Sequence, residues 1–366
     1  MKKSLLIIMF IFFGIASFAK SIYIDSNKGN DNNDGKSDKT ALATIKKAMT
    51  IAESGDNIFI EGNNGKNIYN DNFDFNSELS NISIIGKNNP VLDGKGLNTP
   101  AGIIINSQTV TIKGLKIINF NSGNLNVGSL KSSAAIFVAE GMRDIVIEDN
   151  EFENNNYGVI FHSAEFCSIK NNIINSAVSK NNSDIFSGGI GILLYSTGKF
   201  LQKNLIESNT IKNTDYAGIM MYGATNNVDA EFTQINSNKI TNSKKYGLYF
   251  HNLVNTVNVQ SNFLSANHTN LFMSGTCYDM LIENNIFETA LSGTELESSE
   301  SYFGDMLFVI WQSYGNKFQG KTYAYCKKNE MYIELTNGSR KVLNKPITEN
   351  PELNKDQFEI VVLEAK

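Results

Sequence analysis

Ile147-Glu-Asp-Asn150-Glu-Phe152 is the first of six copies of one short phrase, and Ile282-Glu-Asn-Asn285-Ile-Phe287 is the sixth. The four copies between them are Ile169-Lys-Asn-Asn172-Ile-Ile174, Ile206-Glu-Ser-Asn209-Thr-Ile211, Ile235-Asn-Ser-Asn238-Lys-Ile240 and Val259-Gln-Ser-Asn262-Phe-Leu264. Their asparagines are successively 22, 37, 29, 24 and 23 residues apart, so the base period is about 22 residues and the longer spacings contain insertions. Such a repeat predicts a solenoid.

A second phrase, led by glycine, precedes the later copies. Its versions are Gly158-Val-Ile-Phe-His162, Gly191-Ile-Leu-Leu-Tyr195, Gly218-Ile-Met-Met-Tyr222, Gly247-Leu-Tyr-Phe-His251 and, more loosely, Asn270-Leu-Phe-Met-Ser274. Both phrases are short runs of β-branched and aromatic residues, and helical periodicity is almost absent. The recurring asparagine lies between two runs, where the chain must turn. Because Asn tolerates the left-handed backbone conformation, we expect it to form the turn and to stack as a ladder of hydrogen-bonded amides.

These observations predict one kind of solenoid. Three short strands per unit of about 22 residues, rising by about 4.8 Å per coil, are typical of a right-handed parallel β-helix. A leucine-rich repeat has a similar period but needs a leucine framework and a helical segment, which are missing here. A left-handed helix of hexapeptides needs a six-residue apolar repeat, which is also missing. The predicted fold class is therefore all-β, a single-stranded right-handed parallel β-helix of roughly ten coils with an N-terminal capping helix.

Four segments are predicted along the chain. Residues 1–19 combine Lys2 and Lys3, an apolar run at 5–15 and a small-x-small sequence ending at Ala19, which is typical of a secretory signal peptide. Residues 20–56 are predicted to form a strand, a loop and the capping helix, 57–319 the parallel β-helix, and 320–366 a C-terminal cap and tail. We therefore expect an exported protein, periplasmic or extracellular, with no membrane span in its mature form.

Charge and cysteine content limit the partners. The net charge of −5 becomes −7 without the two lysines of the predicted signal peptide, and Arg143 and Arg340 are the sole arginines. Nucleic acid is therefore not an expected partner. Cys167 aligns with inward strand positions and is predicted to be a core thiol. Cys277 and Cys326 could form a bridge or be unpaired, and the sequence leaves both options open.

The region after the predicted signal peptide contains a recognisable set of residues: Ile22-Tyr-Ile-Asp25, Gly29-Asn-Asp31, Asp34-Gly35, Thr44-Ile45, Ala48, Ala52, Gly55-Asp56 and Ile58-Phe-Ile60. Together they resemble the N-terminal signature of the pectate-lyase-like β-helix superfamily. With the repeats, the resemblance extends over residues 22–318 and is specific for the fold but weak for activity. Within it, Leu42, Ile45, Ala48, Met49 and Ala52 would form one apolar helical face, suited to covering the open end of the solenoid.

The outward positions of the glycine-led strands contain the candidate binding face. The second and fourth residues of each strand should point inward and the third and fifth outward. The third positions of the later coils are Ile160, Leu193, Met220, Tyr249 and Phe272, an apolar row that should not remain in water. Insertions at 121–133, 177–188 and 223–231 flank this sheet, and the resemblance implies a substrate groove between such loops. We predict that the row binds substrate, with cover by loops or by the tail as the alternative.

The fifth positions contain the candidate catalytic residues, His162, Tyr195, Tyr222 and His251. A groove can tune the pKa of His and Tyr toward neutrality, so they can act as base and acid in uronate elimination or epimerisation. Their rings can also stack on sugars without catalysis, or pack against loops. By contrast, the outward row of the following strand, which includes Lys113, Glu148, Lys170 and Glu207, alternates in sign and predicts a solvated cross-strand ladder of charges.

No metal site is predicted. The resemblance implies uronate lyases that bind calcium through carboxylates, but the outward groove positions of the central coils contain no Asp or Glu. No cofactor is therefore evident, although calcium remains possible. The paired aspartates and the other motifs of polygalacturonases are also missing.

Two functions remain open at this point. The first is an exported protein that engages polysaccharide along the outward strand face and acts as a lyase on an acidic glycan. The second is a non-catalytic surface or periplasmic protein that uses the same apolar face to bind a glycan or a protein partner. The resemblance and the flanking insertions favour the first, whereas the missing carboxylates and the scarcity of arginine favour the second.

Overall fold

The structure of the chain is a computed structural model. It describes residues 19–75, 77–181, 184–196, 203–223 and 233–291, and beyond these the strands Thr294–Ser299, Trp311–Tyr314, Lys317–Phe318, Lys321–Ala324, Met331–Glu334, Arg340–Leu343 and Val361–Val362. The predicted signal peptide, except Ala19, lies outside the described residues, and so do Cys326 and nearly all of the insertion at 223–231. The predicted segment boundaries stay predictions.

Three stacks of parallel strands build the molecule, and each coil adds one strand to each stack. Sheet 1 contains Phe73–Phe75, Ala101–Ile105, Ala134–Val138, Tyr157–His162, Ile190–Tyr195, Ala217–Tyr222, the first parts of Tyr246–Gln260 and Thr269–Glu283, Thr294–Ser299 and Lys321–Ala324. Sheet 2 contains Ser21–Ile24, Asn57–Glu61, Ile82–Lys87, Val110–Lys113, Val146–Glu148, Ser168–Lys170, Leu205–Glu207, Thr233–Asn236, residues 257–260 and 280–283, Trp311–Tyr314 and Met331–Glu334.

Sheet 3 contains Ile68–Tyr69, Val91–Asp93, Lys116–Ile118, Glu151–Asn155, Ile173–Ala177, Thr210–Lys212, Lys239–Thr241, Phe263–Ser265, Ile286–Glu288, Lys317–Phe318 and Val361–Val362. Among the described pairs of strands, the one antiparallel pair joins Met331–Glu334 to Arg340–Leu343, and single antiparallel bridges in the insertions join Val127 to Leu130 and Ser179 to Gly188. The predicted all-β solenoid of parallel strands is confirmed.

The core inside the solenoid follows the predicted alternation. Val159 and Phe161 are fully buried in it, and the equivalent second and fourth residues of the next coils lie above them in register. The leading glycine is needed because neighbouring coils approach closely at this point. A Cβ on Gly218 would lie 2.3 Å from Cγ2 of Ile240, which no real contact allows.

The asparagine ladder is confirmed. The six turn asparagines, Asn150, Asn172, Asn209, Asn238, Asn262 and Asn285, expose 0–2% of their surface. Asn209 shows the pattern: its Oδ1 accepts from the backbone N–H and the side-chain amide of Asn172, at 3.0 Å each. Its own amide donates to the Ile169 carbonyl at 2.9 Å and to Oδ1 of Asn238 at 3.0 Å. Each buried amide is therefore satisfied by the coils on both sides.

One detail of the prediction is wrong. The ladder asparagines do not have the left-handed backbone; the residue before each one does. Ser208 precedes Asn209 and has φ of 57°, and the preceding residues of the other coils are Asp149, Asn171, Ser237, Ser261 and Asn284, with φ of 54–56°. The asparagine is selected for its amide, which an inward-pointing side chain can pair along the axis, and its neighbour makes the turn.

The N-terminal helix spans Ile45–Ile51 and follows a 3-10 turn at Asp38–Thr40. Thr44 caps it by accepting from the N–H of Lys47 at 3.1 Å. Ile45 and Ala48 are buried in the core cluster that also contains Ile22 and Ile58 of the first coils. Leu42, which the sequence placed on the helical face, lies before the helix and forms a bridge with Ile24. The helix thus packs on the first coils, as a capping element must.

The outer face of sheet 2 is polar in its middle coils, as predicted. Lys113 contacts Glu148 at 2.9 Å, and Lys170 contacts Glu207 at 3.7 Å. The two residues of each pair are in register on neighbouring strands. Within the described residues, no helix has the length and apolar character that crossing a bilayer requires.

Candidate functional site

The third-position row of sheet 1 is covered by two of the insertions. Ile160, Leu193 and Met220 expose 0%, 2% and 1% of their surface. They belong to a second hydrophobic cluster, the outer cluster, which lies on the outside of sheet 1. The insertion at 121–133 contributes Leu125 and Leu130 to it, and Ile185 and Phe186 of the insertion at 177–188 pack against it. For these three residues the structure shows the alternative to ligand binding, which is cover by the flanking loops.

The insertions bury three of the five predicted substrate-binding residues. A ligand contact to Ile160, Leu193 or Met220 stays a prediction that requires the insertions to move. Tyr249 exposes 5% of its surface, and Phe272 is half-buried at the margin of the outer cluster. Of the predicted row, the residues of the last two coils are therefore the ones nearest to solvent.

The two insertions are fastened to each other. Nζ of Lys180 donates to the Gly123 carbonyl at 2.7 Å, and the backbone N–H of Lys131 donates to the Phe186 carbonyl at 3.1 Å. Nζ of Lys180 is partly withdrawn from water, and this burial lowers the pKa of Lys180. The cover is thus a hydrogen-bonded unit.

The fifth-position side chains form one continuous stack, the aromatic ladder. His162, Tyr195, Tyr222 and His251 are partners in register on consecutive strands of sheet 1. Their ring centroids are separated by 5.5, 5.5 and 5.2 Å in that order. The structure therefore brings the four candidate catalytic residues together in one line, spaced by the rise of the coil.

The two ends of the ladder differ in exposure. His162 and Tyr195 expose 7% and 3% of their surface, and the Tyr195 hydroxyl accepts from the N–H of Ser129 at 3.0 Å. Phe186 packs edge-on against Tyr195 and Tyr222, with centroid distances of 6.2 and 5.2 Å. Tyr222 and His251 are only half-buried. The insertions therefore close the first two rungs, and a ligand has access to the last two.

A compact polar cluster lies at the accessible end. Nδ1 of His251 is 2.6 Å from Oγ of Ser274 and 2.9 Å from the Tyr249 hydroxyl, and the two oxygens are 3.1 Å apart. Nε2 of His251 has no hydrogen-bond partner among the described residues. An imidazole whose Nδ1 is oriented by two hydroxyls presents Nε2 for proton transfer.

Aromatic rings border this cluster. Tyr246 stacks on Phe272 at 4.7 Å with the ring planes 6° apart, and its centroid is 4.5 Å from that of Tyr249. The Tyr216 ring lies 5.8 Å from that of Tyr246, with the ammonium of Lys245 4.4 Å above it. Flat apolar rings beside hydrogen-bonding groups are suited to a sugar, which has apolar C–H faces and polar edges.

Comparison with known proteins agrees with the fold. The family described as the right-handed β-helix region matches residues 175–308. The chain has the fold of a right-handed parallel β-helix. No curated protein sequence matches it.

Several solved structures share this β-helix. XylC, solved with xylose, superposes with a TM-score of 0.65 at 12% identity over 89% of this chain and 73% of that one. The GH136 lacto-N-biosidase from Eubacterium ramulus superposes with 0.53 at 12% identity over 95% and 67%. A rhamnogalacturonan lyase superposes with 0.50 at 13% identity over 81% and 87%. At these identities the likeness is one of fold.

At the accessible end of the aromatic ladder, burial shifts the pKa values of His251 and Tyr222 in opposite directions. Desolvation lowers the pKa of His251 below its ordinary value of 6.5, because burial disfavours the imidazolium. Desolvation, and to a lesser extent the neighbouring Tyr195, raises the pKa of Tyr222 above its ordinary value of 10.0. At neutral pH, His251 is therefore an unprotonated base and Tyr222 a protonated acid.

The described residues of the β-helix contain no group of three or more His, Cys, Asp or Glu side chains arranged to hold a metal ion. Cys167 is a free, buried thiol, as predicted, and burial raises its pKa to about 12. Use of calcium stays an untested expectation.

Phe186 and Tyr246 contribute to the site but were not singled out from the sequence. Phe186 lies in an insertion, which has no period to align. Tyr246 precedes Gly247 as Tyr157 precedes Gly158, but strict alternation from the inward Leu248 and Val159 would point both tyrosines inward, whereas both pack in the outer cluster. The sequence pattern therefore gave no signal for Tyr246. Ser274 was aligned with the ladder from sequence, but its contact with His251 depends on side-chain geometry.

Proposed function

We propose that the protein engages a polysaccharide on the outer face of sheet 1, at the end of the aromatic ladder formed by Tyr222, His251 and Ser274. The observation that carries the proposal is the hydrogen-bonded cluster of Tyr249, His251 and Ser274 beside the half-buried Tyr222. Rungs spaced by about 4.8 Å make this end about 10 Å long, which suits one or two sugar units.

The proposed reaction is β-elimination in an acidic glycan. Nε2 of His251 takes the proton from the carbon next to the uronate carboxylate. The released electron pair forms a carbon–carbon double bond as the glycosidic bond at the adjacent carbon breaks. The leaving glycosidic oxygen takes the proton of the Tyr222 hydroxyl. The pKa shifts favour the protonation states that these roles require at neutral pH, an unprotonated His251 and a protonated Tyr222. The pKa shift of Tyr222 is away from neutrality and makes its hydroxyl a weaker acid, so the case for its role is its position in the ladder.

The solved structures with this fold support a carbohydrate ligand by analogy. They include a protein solved with xylose, a lacto-N-biosidase and a rhamnogalacturonan lyase. Because one fold hosts many activities, the analogy supports the class of ligand and leaves the reaction to the site residues.

A second candidate function is non-catalytic glycan binding on the same face. It is favoured by the packing of His162 and Tyr195 beneath the insertions, which takes two of the four ladder residues away from solvent. On this alternative the rings of Tyr222, Tyr246 and Phe272 stack on sugars, and His251 orients hydroxyl groups. A protein partner on this face is a further possibility that the same variants would test.

Export is part of the proposal. The sequence of residues 1–19 supports a cleaved signal peptide and a periplasmic or extracellular location. Fractionation of cells expressing the full chain, with mass determination of the product, tests it. We expect a product that begins at Lys20 outside the cytoplasm, and an uncleaved cytoplasmic product would contradict export.

The activity test uses the purified mature protein with uronate and neutral glycans, with and without calcium. The unsaturated chain ends produced by elimination absorb in the ultraviolet, so turnover is followed directly. We expect His251→Ala and Tyr222→Phe each to lower turnover by at least about 100-fold, the lower range for general acid–base catalysis. Phe166→Ala, which removes a partly exposed ring (37%) outside the ladder, is the matched control.

The outcomes separate the two candidates. Turnover that survives both substitutions would remove the ladder from the reaction. Binding without turnover, lost in Tyr222→Ala and retained in Phe166→Ala, would support the binding function instead. No binding of any glycan would overturn the proposed function.

A further inference from the structure

A cavity lies on a different face of the molecule from the aromatic ladder, on the outer side of sheet 2 at its first coils. Its volume is about 210 Å³. This is below the roughly 300–1,000 Å³ of pockets that hold drug-sized ligands, so it suits a molecule of a single ring. Its lining comes from Ser21–Ile24, Asn57–Glu61, Ile82–Lys87 and the turns after them. The aromatic ladder of sheet 1 contributes nothing to it.

A stacked pair of rings forms one wall. Tyr23 and Phe59 are partners in register on neighbouring strands, with centroids 5.2 Å apart and ring planes 25° apart. They continue the outward row that becomes the charge ladder in later coils. Both rings are half-buried, so part of their apolar surface faces the cavity.

Lys87 lies over these rings. Its Nζ is 4.2 Å from the Phe59 centroid and 5.1 Å from the Tyr23 centroid. Lys87 and Glu61 are partners in register, yet the Glu61 carboxylate accepts from the N–H of Asn63 instead. Within the described residues Lys87 forms no ion pair. Its long, flexible stem allows it to leave the rings and donate to a ligand.

The floor of the cavity is built by buried polar groups. Asp25 exposes 9% of its surface and Asn67 exposes 3%. Oδ1 of Asp25 accepts from the N–H groups of Asn27 and Lys28, at 2.9 and 3.1 Å, and from the amide of Asn67 at 2.8 Å. The other oxygen, Oδ2, has no hydrogen bond among the described residues. A fixed carboxylate with one free oxygen in a cavity lacks a donor that a ligand can supply.

We propose that this cavity binds one neutral sugar ring, such as a hexopyranose or a pentopyranose. Its C–H face would stack on Tyr23 and Phe59, one hydroxyl would donate to Oδ2 of Asp25, and another would accept from Lys87. Hydroxyl groups fit a lining that mixes donors and acceptors, because each can donate and accept. The lining contains Asp25, Asp38 and Glu61 but only Lys28 and Lys87, so its net charge of −1 disfavours an acidic sugar.

The test measures binding of methyl β-glucopyranoside and methyl β-xylopyranoside to the full chain, by calorimetry and ligand-observed nuclear magnetic resonance. Glucuronate is the acidic comparison and tetramethylammonium the cationic one. We expect at least one neutral glycoside to bind at least tenfold more tightly than either comparison. Tyr222→Ala should leave this binding unchanged, which separates the cavity from the proposed polysaccharide face.

Two variants connect binding to the cavity. Asp25→Asn keeps Oδ1 for its three donors and removes only the free acceptor, so the floor should stay folded. We expect it and Phe59→Ala each to weaken binding at least tenfold. Phe263→Ala is the matched control, because Lys239 lies over that ring at 5.7 Å outside the cavity. Binding unaffected by Asp25→Asn and Phe59→Ala, tighter binding of glucuronate or tetramethylammonium, or no binding at all would overturn the proposal.

Discussion

Phe186 packs edge-on against Tyr222, with ring centroids 5.2 Å apart and ring planes at 80°. Phe186 belongs to an insertion and Tyr222 to the aromatic ladder, so this contact marks where the cover of sheet 1 ends. On one side of it the ladder is buried, and on the other side Tyr222 and His251 are half-buried. Phe186 is therefore the side chain of the cover that lies at the boundary between the buried and the half-buried rungs.

Phe186→Ala should open the covered part of the ladder. We expect a loss of about 1–3 kcal/mol in the free energy of unfolding, less than the 3–5 kcal/mol of a fully buried Phe because Phe186 is half-buried. Binding of a hydrophobic dye by the native state should rise as Tyr195 becomes accessible. Phe263→Ala, which removes a half-buried ring on sheet 3 away from the cover, is the control for dye binding. Unchanged dye binding and unchanged stability in Phe186→Ala would show that this ring does not hold the cover.

Asn209→Ala should destabilise the solenoid strongly. The substitution leaves the Ile169 carbonyl and the amides of Asn172 without their buried partners. Each unsatisfied buried group costs roughly 1–3 kcal/mol, and several are affected, so we expect a loss of about 3 kcal/mol or more by chemical denaturation. Gln234→Ala removes an amide from an exposed position and should cost less than about 0.5 kcal/mol. Equal effects of the two substitutions would contradict the ladder.

Thr214→Val should raise stability. Thr214 is fully buried, and its hydroxyl has no hydrogen-bond partner among the described residues. Replacing an unsatisfied buried hydroxyl by a methyl group of similar shape should add about 1 kcal/mol to the free energy of unfolding. Thr214 lies in the turn after Thr210–Lys212, and Thr241→Val, at a half-buried position, controls for the replacement of a partly exposed threonine by valine. A lower melting temperature for Thr214→Val than for Thr241→Val would indicate that the hydroxyl is satisfied.

Stability should fall on mild acidification because of His251. Burial lowers the pKa of His251 in the folded protein, so the unfolded chain binds this proton more readily. The contribution of His251 to the free energy of unfolding is therefore fully present above pH 6.5, the ordinary pKa of histidine. It is lost as the pH falls from there toward the lower pKa that His251 has in the folded protein. His251→Gln should flatten the pH dependence of the melting temperature between neutral pH and pH 5, a window above the ordinary pKa of carboxyl groups.

The control for this experiment is His268→Gln, which removes an exposed histidine of the next coil. The prediction fails if the pH profile of His251→Gln superimposes on that of the unmodified protein.

The sequence predicted the periodic part of this molecule well. The Asn150-to-Asn285 repeat determined the coil, and alternation around Gly158 correctly separated inward Val159 and Phe161 from outward Ile160 and His162. The charge ladder of Lys113 and Glu148 also followed from position alone. Each of these features depends on spacing, which a repeat makes visible.

Features that do not follow the repeat could not be predicted from the sequence. The insertions flank sheet 1 as expected, but that Phe186 packs on Tyr222 depends on the path of a loop with no repeat to align. The turn was misplaced by one residue, because Ser208 and Asn209 are both polar and the sequence does not show which one is left-handed. The cavity at Asp25 was missed because Tyr23 and Phe59 belong to coils before the asparagine repeat begins.

The hydrogen bond between Ser129 and Tyr195, which holds the cover on sheet 1, spans more of the sequence than a step of the asparagine ladder does. Neighbouring ladder asparagines such as Asn150 and Asn172 are 22 residues apart, whereas Ser129 must find Tyr195 across 66 residues. Closing the 66-residue loop between Ser129 and Tyr195 costs conformational entropy. That cost falls once the intervening strands have stacked, because the stacked strands bring the two ends of the loop together. We therefore expect the coils to form first and the cover to close last. In that order the apolar face of sheet 1 would be exposed for a time, and in that interval a chaperone or a second chain could bind it.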